Sequence, residues 1–224
     1  MIFARNIVLL GFSFFLAVTA FLPAIAQQQN QATAEELLQE AQEALEKENY
    51  KTSWEALLTL NNQAPDAWED NRELVEEAAK SLHLYAKNNF DENRYDRAIE
   101  AAKLLGSEES LDLVAKLFPN AVESLDQSVR RIIGESYYKM GNKLLNRSEP
   151  AAAEENFLKA LEALDTSHED YARIWADLGF VQSQQAFNML ANNQPQARTE
   201  LGTAKAAFQE ARVEAGENAQ LRNV

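Results

Sequence analysis

The sequence predicts an all-α chain built from consecutive helix pairs, and three observations carry that expectation. Apolar residues recur at three- and four-residue intervals from Leu37 onward. Strong helix formers (Ala, Leu, Glu, Gln and Lys) dominate, while the 224 residues include only 7 Gly and 5 Pro. No segment sustains the apolar–polar alternation of a half-buried strand. Hydrophobic residues make up 46% of the chain, enough to close a packed core.

The first 26 residues read differently from the rest. Arg5 is their only charge, and Ile7 to Leu22 is almost wholly apolar. Pro23 follows, then the small-residue end Ala24-Ile25-Ala26. That order predicts a secretory signal peptide over 1–26, with an uncleaved membrane anchor as the alternative. A polar spacer over 27–32, a helical domain over 33–217 and a disordered tail over 218–224 are expected to follow. No second apolar run reaches membrane length, so the mature chain is expected to have no membrane span. The expected destination is the bacterial periplasm or the exterior, and the absence of Cys fits a periplasmic protein.

The predicted helices are 33–47, 50–62, 66–88, 92–105, 108–118, 120–125, 127–147, 149–164, 168–192 and 196–217. Thr33 with Glu36 forms a capping-box pattern at the first start. Leu37, Leu38, Ala41, Ala44 and Leu45 then keep helical spacing. Glu48-Asn49 separates this helix from the next, in which Tyr50, Ser53, Leu57 and Leu60 recur before Pro65. Leu82, Tyr85 and Ala86, then Tyr95, Ala98, Ala102 and Leu105, form a weaker pair. Residues 107–130 fit no repeat, and Pro119 breaks one short helix from another.

The pattern is sharpest over Gly134–Ser167. Tyr137, Met140, Gly141 and Leu144 lie on one helix, Arg147 to Pro150 make a turn, and Ala153, Phe157 and Ala160 lie on a second. Trp175, Leu178 and Gly179 open another first helix, and Ala204, Phe208 and Ala211 keep the second-helix spacing after about 13 extra residues. These residues resemble the tetratricopeptide repeat, a 34-residue helix-turn-helix unit. Asp165 departs from its terminal Pro. The resemblance implies a solenoid of stacked helix pairs, with an irregular antiparallel bundle as the alternative. Gly141 and Ala153 are then small because two helices cross closely.

The resemblance further implies that first-helix residues line a surface binding a protein or peptide partner. Candidate partner-binding residues are Tyr138, Asn142 and Asn146 on one first helix and Arg173, Phe180 and Gln184 on the next. Tyr, Phe and Arg are residue types that anchor interfaces. Asn142 stands where some members place an Asn that clamps a carboxylate, but Tyr138 takes the usual Lys place. Self-association through exposed repeat ends is the alternative, and an all-α small-ligand binder or enzyme is a third reading.

Composition argues against other classes. The net charge of −14 repels nucleic acid. With no Cys and only His83 and His168, no metal site is expected. No Gly-rich phosphate loop, Gly-x-Ser-x-Gly elbow or His-Glu-x-x-His occurs. The acidic pairs Glu76-Glu77, Glu108-Glu109 and Glu154-Glu155 point about 100° apart on a helix and read as solvated faces. No catalytic residue, cofactor or enzymatic activity is therefore expected.

Overall fold

The computed structural model describes residues 33–65 and 69–221, and every regular element among them is helical. The helices are α1 (33–46), α2 (Tyr50–Gln63), α3 (Arg72–Asp91), α4 (Tyr95–Leu105), α5 (Glu108–Leu117), α6 (Val122–Asn146), α7 (Pro150–Ala163), α8 (Tyr171–Met189) and α9 (Gln194–Leu221). Short 3-10 turns at Glu69–Asn71 and Pro119–Ala121 lead into α3 and α6. The all-α expectation is met. The signal peptide and the 27–32 spacer lie outside the described residues. The region expected as one domain divides into two compact units, between Lys80 and Ser81 within α3.

Several boundaries differ from expectation. The helices predicted at 120–125 and 127–147 are one 25-residue helix, because nothing after Pro119 interrupts the backbone. The helix predicted from 168 starts at Tyr171, after a turn in which the Tyr171 N–H donates to His168 O. α9 continues through Leu221, four residues past the expected end of the helical domain at 217. No Gly or Pro follows Gly216 to end the helix.

In the first unit, α1 buries Ala41 and Ala44, and α2 buries Ser53, Trp54, Leu57 and Leu60. The turn between them places Glu48 at φ 57°. The Glu48 N–H donates to Leu45 O at 3.0 Å and the Asn49 N–H to Ala44 O at 2.8 Å, satisfying carbonyls that the helix end would orphan.

The second unit repeats this turn twice. Asn93 has φ 60° and Ser148 φ 62°. The Arg94 N–H returns to Asn89 O, and the Glu149 N–H to Leu144 O. Core positions keep one register from these left-handed residues. Five, nine and twelve residues on stand Ser53, Leu57 and Leu60; Ala98, Ala102 and Leu105; and Ala153, Phe157 and Ala160, none more than 1% exposed. The shared register follows from one cause: the turn fixes the phase of the second helix, and so which of its residues point inward.

Within the second unit α4 packs on α6, α6 on α7, α7 on α8 and α8 on α9. A Cβ on Gly141 would lie 2.5 Å from Phe157 Cε1, and one on Gly134 would strike the Leu164 side chain. Seven residues back along α6 thus match seven forward along α7, the register of an antiparallel pair. Tyr138, Ala153, Phe157, Leu161, Ile174 and Leu178 belong to a core shared by α6, α7 and α8.

The α8–α9 hairpin is longer. A Cβ on Gly179 would lie 3.1 Å from the Phe208 ring, as one on Gly141 would crowd Phe157, so the predicted pairing holds. The extra residues extend both helices: α8 runs to Met189 and α9 begins at Gln194. At 1.5 Å per residue the tip reaches roughly 7–10 Å beyond that of α6–α7.

Candidate partner-binding face

Three contacts fix the orientation of α8. Glu154 on α7 is gripped by two amides, Gln182 Nε2 at 2.9 Å and Gln185 Nε2 at 2.7 Å. Gly179 faces α9 through Phe208. Asp177 faces α6, where its Oδ2 accepts from Tyr138 Oη at 2.9 Å. At 100° per residue, these leave one arc of α8 uncovered, carrying Arg173, Phe180, Ser183, Gln184 and Phe187.

The structure separates the six predicted residues. Phe180 is 49% exposed, and Arg173, Gln184 and Asn146 are also exposed. Tyr138 is only 2% exposed, which corrects its assignment as a surface anchor. Its ring packs on Phe157 with centroids 5.9 Å apart, and the Arg173 guanidinium carbon lies 6.0 Å from the Tyr138 ring centroid. Burial pushes its phenol up to about 12; a hydrogen bond with Asn142 acts the other way, and the Asp177 carboxylate adds to the rise. Asn142 is accordingly half-buried and supports Tyr138. Tyr138 and Asn142 belong to the packing between α6 and α8, whereas Arg173, Phe180 and Gln184 share the open arc.

Phe187, 67% exposed, extends that arc and was missed. It follows Phe180 by seven residues, a signal available in the sequence. Glu154 was also misread as solvated: Glu155 does sit outside with Lys159, at 2.6 Å, but Glu154 points into the α7–α8 seam.

Each histidine makes a side-chain contact to α6. His83 Nε2 lies 2.7 Å from Ser128 Oγ, and burial lowers its pKa. His168 Nε2 lies 3.1 Å from Glu135 Oε1, which also accepts from Arg131 Nε at 2.7 Å. The Asp170 N–H donates to His168 Nδ1, so the ring proton sits on Nε2 facing Glu135. The hydrogen bond from His168 is the largest cause holding Glu135 below the usual carboxylate range. This arrangement ties the start of α8 to α6. Among the described residues no cluster of three His, Asp or Glu is placed to hold a metal ion, and no helix is long and apolar enough to cross a membrane.

Comparison with known protein families, characterised proteins and solved structures finds no match.

Proposed function

We propose that the chain is an exported, non-catalytic scaffold of tetratricopeptide-like helix pairs that binds a protein or peptide in the cell envelope. The observation that carries this reading is the open arc of α8, where Phe180 and Phe187 stand uncovered beside Arg173 and Gln184. Two exposed phenylalanines one heptad apart stand on one face of the helix beside Arg173 and Gln184, a pairing of aromatic and cationic side chains that suits an interface. The recurring left-handed turn and the shared burial register support the repeat reading, since helix pairs that stack on neighbours need the same residues inward each time. The signal-like first 26 residues support export.

The test places a photo-crosslinking amino acid at Phe187 and, as control, at Leu158, an exposed apolar position on α7. In-cell crosslinking and mass spectrometry are expected to recover one envelope protein from position 187 only. The Phe180→Ser/Phe187→Ser chain is expected to lose that partner while unfolding at the wild-type temperature. Equal partner affinity in the double variant refutes the assignment.

A further inference from the structure

The α8–α9 hairpin carries a second row of residues beside the phenylalanines. Arg198, Lys205 and Arg212 recur every seven residues along α9 and are all exposed. None forms an ion pair among the described residues. Leu201 and Phe208, 37% and 44% exposed, lie on the adjoining arc. Three acids of α9, Glu200, Glu210 and Glu214, fall more than about 100° of helix rotation away from Lys205. A shallow groove joins the two helices here, lined by Ser183, Leu201, Ala204, Lys205, Phe208 and Arg212. Small residues form its floor, apolar residues its walls and two cations its rim.

The other hairpins of the second unit show what such a side takes. α6 covers α4, and α8 covers α7, where the amides of Gln182 and Gln185 hold the Glu154 carboxylate. On α8 the direction opposite to Gln182 is that of Phe180 and Phe187. The uncovered side of the last hairpin therefore stands where the next helix would pack.

We propose that this side of the α8–α9 hairpin docks an amphipathic helix of a partner protein whose apolar stripe is flanked by carboxylates. The proposal rests on the scaffold reading and names the chemistry of its partner. Local charge selects this occupant: a chain of net charge −14 concentrates an acid-free, basic and apolar strip on one face. A twofold contact with a second copy would set Lys205 and Arg212 against the same patch, opposing like charges. The open ridge of α1, with Glu36, Gln39, Glu40 and Glu43, offers carboxylates without an apolar stripe to cover Phe180 and Phe187. Residues 1–32 contain no Asp or Glu.

The test uses the full chain and two synthetic helical peptides with the same leucine stripe, one flanked by Glu and one by Lys. Fluorescence anisotropy is expected to show the Glu-flanked peptide binding about tenfold more tightly at low salt, with the difference shrinking as salt rises. Lys205→Glu/Arg212→Glu is expected to reverse the preference, and Phe180→Ser/Phe187→Ser to weaken both peptides. All four side chains are exposed, and circular dichroism verifies that each variant folds. Equal affinity for the two peptides, or a preference unchanged by charge reversal, overturns the proposal but leaves the scaffold reading standing. Binding to phosphatidylglycerol vesicles in preference to the Glu-flanked peptide overturns it in favour of a lipid surface. A dimer that charge reversal alters, seen by sedimentation, overturns it in favour of a second copy. No binding of either peptide, together with no protein crosslinked from position 187, fails the scaffold reading itself.

Discussion

Replacing Gly141 by Ala tests the close helix crossing directly. The added Cβ would lie 2.5 Å from Phe157 Cε1 and 2.7 Å from Cδ1, well inside van der Waals contact. Phe157 is fully buried with its ring tilted against that of Tyr138, so it has little room to retreat. Overpacking of this kind costs ~1–3 kcal/mol, while Ala gains up to ~1 kcal/mol over Gly in a helix interior. The net expectation is a loss of about 1–2 kcal/mol. For a chain of this size that lowers the melting temperature by roughly 2–8 °C. Gly202 and Gly216 supply the internal control. A Cβ on either meets nothing within 4 Å, so only the helix-propensity gain remains. Gly202→Ala should therefore stabilise by up to about 1 kcal/mol, opposite in sign to Gly141→Ala. Gly179→Ala falls between them, because the Phe208 ring it meets at 3.1 Å is partly exposed and can yield. Urea titration followed by circular dichroism at 222 nm reads all four. Gly141→Ala as stable as the parent chain, or Gly202→Ala equally damaged, would refute the reasoning.

Other residues give further expectations. Ser53 is fully buried and its hydroxyl finds no hydrogen-bond partner, so Ser53→Ala should raise stability by about 1 kcal/mol in the same titration. Glu48→Gly and Ser148→Gly should each stabilise by up to about 1 kcal/mol by relieving a left-handed side chain. Asn93→Gly should gain less, since Asn93 Oδ1 accepts a 2.6 Å hydrogen bond from Tyr95 Oη, and a larger gain there would contradict the reading. Glu135 is held below the usual carboxylate range, so its charged form stabilises the fold at neutral pH and that contribution disappears as pH falls through its folded pKa. Glu135→Gln should therefore be less stable than the parent at pH 7 and indistinguishable from it in strong acid, with thermal melts across pH 2–7 reading the gap.

The fold was legible where helix phase and side-chain volume agree. Gly141, Ala153 and Phe157 announced a close crossing because only small residues opposite a large one permit it. Tyr138 was misplaced because a first-helix aromatic can turn either outward or into the seam. Gly134 and Gly141 lie four residues before it and three after, on the same stripe, and they mark that stripe as one pressed against neighbours. Glu154 escaped for a related reason. Adjacent acids diverge on a helix, so Glu155 can be solvated while its neighbour points into a seam, and its amide partners lie 28 and 31 residues away.

Net charge misleads most at the end of the chain. An acidic total argues for a neutral or basic partner only if charge is spread evenly, because screening confines each surface group's influence to ~10 Å. α9 breaks that condition: its heptad-spaced cations share an arc with Leu201 and Phe208, and its acids lie elsewhere on the helix. The lengthened α8–α9 hairpin enlarges the same face, since the added turn of α8 carries Phe187 and those of α9 carry Arg198. Turns added only for stability would be expected to bury their apolar residues; these leave Phe187 the most exposed large hydrophobic side chain among those described. The combination favours contact over core building, and the proposed docking rests on the local chemistry of the hairpin rather than on the total charge of the chain.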